Sequence, residues 1–124
     1  MTRRILLVDD EDDIREVAGM SLETVAGWTV LAASSGREGI KIAAEQQPDA
    51  ILLDVMMPDM DGPTTFQNLQ NNDKTKAIPV IFLTAKAQMR EQRGFRELGA
   101  QGVISKPFDP LTLADQISEF LGWK

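Results

Sequence analysis

The stretch Ile5-Leu6-Leu7-Val8-Asp9-Asp10-Glu11-Asp12-Asp13 passes without a break from four apolar residues to five acids. A short apolar run bounded by charge is the pattern of a strand covered on both faces, as in a parallel sheet. The run stops at Asp9. From Asp12 onward Ile14, Val17, Ala18, Leu22 and Val25 recur at helical spacing, and Gly27 offers a stop. Working outward, the same alternation returns along the chain. Thr29 to Ala33 reads as a strand and Ser35 to Glu45 as a helix capped by Ser35. After Pro48-Asp49, Ala50 to Leu53 is a strand ending on Asp54, followed by a loop with Pro58, Gly62 and Pro63 and a helix from Thr64 to Gln70. Val80 to Leu83 ends on Thr84, and Met89, Phe95 and Leu98 mark a helix stopped by Gly99. Gly102 to Ser105 leads through Lys106-Pro107 into a helix built on Leu113, Ile117, Phe120 and Leu121.

Strands alternating with helices at short spacing imply right-handed crossovers and an α/β domain, a doubly wound five-stranded parallel sheet with helices on both faces. At 124 residues the chain has the length of one domain, and a single unit over 1–124 with no output domain is expected. No apolar run approaches the ~20 residues that span a bilayer, and no charged-then-apolar leader precedes Ile5, so a soluble, cytoplasmic protein without membrane insertion is expected. The chain contains neither Cys nor His. Disulfides, thiolate nucleophiles, zinc–sulfur sites, imidazole catalysis and Ser-His-Asp triads are therefore excluded. Residues 1–62 carry 5 basic against 13 acidic side chains, net −8, and residues 63–124 carry 8 against 6, net +2. Direct nucleic-acid binding is not expected of a chain this acidic, because a phosphate backbone needs a concentrated basic face.

In open doubly wound sheets the ligand site lies beyond the carboxyl ends of the strands. Those ends present Asp9 and Asp10, Asp54, Thr84 and Lys106. Gathered carboxylates repel one another, and a site that keeps them ionised holds a cation; hard oxygen donors without imidazole or thiolate point to Mg²⁺. Such a site handles phosphate. Asp54, on what would be a central strand, is the candidate nucleophile toward phosphorus, with Asp9 and Asp10 on the metal and Thr84 and Lys106 on phosphoryl oxygens. Singly, each residue has a plainer reading: Asp54 a turn residue, Thr84 a strand-end hydroxyl, Lys106 a surface lysine, and Asp12 and Asp13 acids favoured at a helix N-terminus. Their joint placement at separate strand ends is what the plainer readings leave unexplained.

The segments Leu7-Val8-Asp9-Asp10-Glu11, Leu52 to Gly62 around Asp54, Leu83-Thr84-Ala85 and Ser105-Lys106-Pro107-Phe108 resemble the receiver domain of two-component response regulators, of the chemotaxis-regulator type. The resemblance implies the flavodoxin-like receiver fold with strand order 2-1-3-4-5 and a phosphorylation-activated switch. Asp54 would accept a phosphoryl group from a sensor histidine kinase or a histidine phosphotransfer protein, and a downstream protein target would read the result. Asp10 and Asp54 would contact Mg²⁺ directly, Asp9 largely through water, and Met56 through its backbone carbonyl. A cis peptide at Lys106-Pro107 is also implied. Apart from self-catalysed phosphoryl transfer and slow autodephosphorylation, no enzymatic turnover is expected. An aspartyl-phosphate hydrolase would need an acid where Met56 stands, a flavin carrier a hydroxyl- or glycine-rich phosphate loop after the first strand, and a phosphate-independent binding module remains open.

Two departures bear on signalling. The family's usual aromatic three residues before the lysine is here Val103, so transmission is expected through the loop after Thr84 or another element. Met56 and Lys86 offer no group to orient a hydrolytic water, so a long-lived phosphoryl group is expected. Lys86, Arg90, Arg93 and Arg96 form a basic stripe, either a solvated face or a dock for an acidic partner.

Overall fold

The computed structural model describes residues 2–85 and 89–123, with the backbone alone described for residues 89–92. Five strands, β1 (Arg4–Val8), β2 (Thr29–Ala33), β3 (Ala50–Asp54), β4 (Val80–Thr84) and β5 (Gly102–Ser105), alternate with five helices, α1 (Asp12–Ala26), α2 (Gly36–Gln46), α3 (Gly62–Gln70), α4 (Met89–Leu98) and α5 (Leu113–Leu121). All pairings are parallel and the sheet order is β2-β1-β3-β4-β5. The expected doubly wound receiver architecture is therefore present, with β3 at its centre. Among the described residues no helix is long and apolar enough to cross a membrane.

Side chains on a strand alternate between faces, and the two apolar clusters follow that period. Leu6, Val8, Ile51, Leu53, Val80, Phe82 and Val103 pack on one side with Phe66 and Leu69 of α3, Ala43 of α2 and Phe95 of α4. Ile5, Leu7, Ala50, Leu52, Ile81, Leu83 and Ile104 pack on the other with Ala18 and Leu22 of α1 and Leu113, Ala114 and Ile117 of α5. β3 and β4 are buried at every position, which is why both read as unbroken apolar runs. Helix α1 is tied to the segment leading into α5 by the Ser21 hydroxyl donating to the Pro110 carbonyl.

Helix ends follow the punctuation, with some shifts. Ser35 caps α2 by accepting from the Glu38 N–H at 3.2 Å, and Gly27 and Gly99 close α1 and α4 with φ of 71° and 114°. α3 begins at Gly62, two residues before the expected Thr64, because Asp61 serves as its cap: Oδ1 accepts from the Thr64 N–H at 2.9 Å, with Pro63 in the first turn where no N–H is needed. Within α1, Val17 and Val25 do not join the core but are 44% and 48% exposed; the buried stripe runs instead through Ala18, Ser21 and Leu22, the side that meets the sheet and α5. In α4, Leu98 is 44% exposed, while Phe95 packs against the core.

The α1 assignment makes a direct prediction. Leu22→Ala should cost about 2–5 kcal/mol of unfolding free energy, whereas Val17→Ala should change it by less than about 0.5 kcal/mol, as read from urea melts.

Candidate functional site

The alternation that builds the sheet also aims the site. Continuing each strand's period by one residue puts Asp9 after Val8 and Asp54 after Leu53 on the α1/α5 side, while Thr84 shares the side of Phe82. Parallel pairing then brings the strand exits together: Asp9 N–H donates to the Ala33 carbonyl at 3.1 Å, Val55 N–H to the Leu83 carbonyl at 3.2 Å, and Lys106 N–H to the Thr84 carbonyl at 2.8 Å. The Lys106-Pro107 peptide is cis.

Carboxylate oxygens of Asp9, Asp10 and Asp54 lie within 4.8 Å of one another. Asp9 and Asp54 are buried, with exposures of 0% and 4%, while Asp10 faces solvent. Lys106 Nζ sits between the buried pair, 3.0 Å from Asp9 Oδ2 and 3.1 Å from Asp54 Oδ1. Asp9 Oδ1 accepts the Glu11 N–H at 2.9 Å, but among the described residues Asp9 Oδ2 finds no donor in hydrogen-bond geometry, its contact being the ion pair alone. Thr84, 2% exposed, closes the β4 end. The loop after Asp54 is held against it by Gly62, whose N–H donates to the Val55 carbonyl at 2.8 Å. A Cβ at Gly62 would lie 2.5 Å from the Asp54 carbonyl oxygen and 2.8 Å from Val55 Cα, so the sequence's apparent loop punctuation is a close-approach position beside the site.

Burial pushes the Asp54 carboxyl up to about 6, reinforced by the negative charge of Asp9 and by Asp10, and only partly offset by Lys106. Burial works against the charged Lys106 ammonium, but the contacts with Asp9 and Asp54 outweigh it and its pKa is raised. Two buried carboxylates thus share one ammonium, with the Asp10 carboxylate beside them. The donor set is hard oxygen throughout, its charge is under-compensated, and the buried Asp9 Oδ2 is met by an ion pair but by no hydrogen bond in good geometry; these residues fit a divalent cation.

The sequence-derived residues Asp9, Asp10, Asp54 and Lys106 converge, and Thr84 ends the adjacent strand. Met56 sits two residues past Asp54 with its side chain 65% exposed, whereas Met57, 9% exposed, belongs to the core. Asp12 and Asp13 lie in the first turn of α1, outside the cluster, as the helix-terminus reading expects. Of the basic stripe, Lys86 lies outside the described residues, as does the side chain of Arg90; Arg93 and Arg96 are exposed. Arg15, which sequence reasoning passed over, donates from Nη1 to the Asp9 carbonyl at 2.7 Å. No residue-type signal marks it, because its partner is backbone.

The response regulator receiver domain family matches residues 5–118. The chain belongs to that family, whose members are the phosphorylation-responsive switches of two-component signalling and interact with histidine kinases. It is similar to the DNA-binding dual master transcriptional regulator RpaA of Synechocystis, 41% identical over 86% of this chain and 44% of that protein. It is also similar to the phosphate regulon transcriptional regulatory protein PhoB of Pseudomonas aeruginosa, 36% identical over 96% and 52%. The chain thus spans about half the length of these curated relatives. Among solved structures, the chemotaxis protein CheY4 of Vibrio cholerae superposes with a TM-score of 0.89 at 30% identity, covering 97% of this chain and 99% of that one. A sensor histidine kinase receiver domain of Pseudomonas aeruginosa, with magnesium coordinated in its active-site cleft, gives 0.86 at 26% identity, covering 98% and 99%.

The raised Asp54 pKa sets the sign of a stability effect. The neutral carboxyl is favoured by the native state, so its contribution is fully present below 3.8, the ordinary value, and is lost as pH rises through about 6. Above that pH the ionised group costs the metal-free fold on the order of 1–3 kcal/mol. In EDTA at pH 7, Asp54→Asn should be more stable than wild type by about that amount, the gap shrinking as pH falls from 6 toward 4 in urea melts. Equal stability across this range would contradict the assignment.

Proposed function

We propose that Asp54 is the phosphoacceptor of a Mg²⁺-dependent switch, charged by a sensor histidine kinase or a histidine phosphotransfer protein and read by a downstream protein. The observation that carries this is the buried Asp54 carboxylate at the end of the central strand, faced by Asp9, Asp10 and the Lys106 ammonium. The magnesium in the Pseudomonas aeruginosa relative supports the choice of ion. Asp10 and Asp54, with the Met56 carbonyl and Asp9 largely through water, would hold it, and when bound it neutralises the carboxylates and the incoming phosphoryl oxygens.

The chain's own residues supply the rest. A carboxylate oxygen of Asp54 attacks phosphorus in line with the P–N bond of the donor phosphohistidine. The P–O bond forms, the P–N bond breaks, and the imidazole nitrogen leaves with the electron pair and is protonated. The Lys106 ammonium, 3.1 Å from Asp54 Oδ1, favours the ionised carboxylate that acts as the nucleophile, and a bound cation would add to that effect. Lys106 exchanges its contact with Asp54 Oδ1 for a phosphoryl oxygen, and the Thr84 hydroxyl donates to another. Burial excludes water from the acyl phosphate, and the exposed thioether of Met56 offers no acid or base to turn the site into a hydrolase. The Val103 side chain, buried opposite Phe82, provides no ring to rotate, so the signal would leave through the loop after Thr84 or through another element.

Incubation with acetyl phosphate should add one phosphoryl mass to wild type with Mg²⁺ and none in EDTA, with Asp54→Asn unmodified and Lys106→Ala modified at least about tenfold more slowly. Equal modification of the Asp54→Asn chain moves the acceptor elsewhere, many turnovers per chain favour a hydrolase, and no modification favours a phosphate-independent module.

A further inference from the structure

Arg15 lies one turn into α1 with its side chain 21% exposed. Its Nη1 donates to the Asp9 backbone carbonyl at 2.7 Å, and its Nη2 pairs with the Asp12 carboxylate. Neither contact uses a carboxylate oxygen of Asp9, Asp10 or Asp54. The planar fork thus ties the exit of β1 to the first turn of α1 from behind and leaves the cluster's oxygens to face one another. The turn has other restraints in the Asp9 N–H to the Ala33 carbonyl at 3.1 Å and the Glu11 N–H to Asp9 Oδ1 at 2.9 Å, but the second of these occupies a potential ligand oxygen. A turn made of repelling acids needs an anchor that does not consume the groups it presents, and Arg15 is placed to be that anchor.

We propose that Arg15 is a positioning residue for the divalent cation: by holding the Asp9 carbonyl it fixes the β1–α1 turn so that the Asp9 and Asp10 carboxylates converge with Asp54. This rests on the Mg²⁺-dependent reading above. Two effects of the guanidinium oppose each other. Its positive charge repels a cation, so on electrostatics alone its removal tightens binding; loss of the anchor loosens it. The charge is paired with Asp12, whose side chain is 88% exposed, and is screened there, whereas the carbonyl contact belongs to a residue with no exposure at all. Positioning therefore outweighs repulsion.

The test is isothermal titration of Mg²⁺ into the metal-free chain for wild type, Arg15→Met, Arg15→Lys and Asp12→Asn, with melts in EDTA reporting the fold separately. Arg15→Met should raise the Mg²⁺ Kd about tenfold although it removes a repelling charge, and Arg15→Lys, which keeps a donor on a long stem, should recover most of the loss. Asp12→Asn should stay within about threefold of wild type, since it leaves the Asp9 contact intact. With acetyl phosphate, Arg15→Met should need proportionately more Mg²⁺ for half-maximal labelling yet reach the wild-type plateau at saturation. Arg15→Gln gives the same comparison should the methionine variant not fold. An unchanged or tighter Kd in Arg15→Met overturns the proposal, as does an Asp12→Asn loss equal to that of Arg15→Met. A wild type that binds no Mg²⁺ fails the underlying reading before any variant is compared, and the proposal falls with it.

Discussion

Three carboxylates facing one ammonium is the constraint on which the rest depends. Asp9 and Asp54 are buried, so water screens their repulsion poorly, and Lys106 at 3.0 and 3.1 Å can neutralise only one charge of the set. Burial above all, and the Asp9 charge after it, push the Asp54 carboxyl up to about 6, and the site gains stability by acquiring positive charge or by losing negative charge. A divalent cation does the first. On the proposed reading, phosphorylation of Asp54 would place new anionic oxygens beside Lys106, a local electrostatic event able to bias the surrounding structure.

The sheet makes this arrangement possible at low cost in side-chain entropy. Each of the participating groups sits at or just past a strand end, where the backbone is held by a bond from the neighbouring strand, so the side chains are aimed by a rigid layer instead of by flexible loops. Burial on both faces of β3 and β4 supplies the stability that offsets the electrostatic penalty at the exits. Gly62 completes the frame by letting the start of α3 press on the Asp54 backbone.

Much of this was legible in the residues. The unbroken apolar runs of β1, β3 and β4 were plain because strands buried on both faces leave no alternation to misread, and the acids and Thr84 were conspicuous because polar residues ended those runs. The α1 spacing marked the helix but not its buried side: Val17 and Val25 are exposed, because apolar residues at helical spacing do not by themselves report which side the sheet occupies. The start of α3 was displaced because Gly62 and Pro63 carry loop character, whereas with Asp61 as cap they form a helical first turn. The Gly62 close approach and the Arg15 anchor were invisible for a common reason: both act on backbone atoms, Asp54 and Asp9 carbonyls, and backbone leaves no trace in residue type.

The most direct measurement of the central claim is paramagnetic broadening of backbone amide resonances by substoichiometric Mn²⁺ in place of magnesium. The account predicts that the signals of Asp9, Asp10, Asp54, Val55 and Met56 broaden first and together, are restored by excess Mg²⁺, and stay sharp in Asp54→Ala. Broadening centred on Asp12 and Asp13 at the start of α1, or spread evenly over the acidic surface, would contradict it.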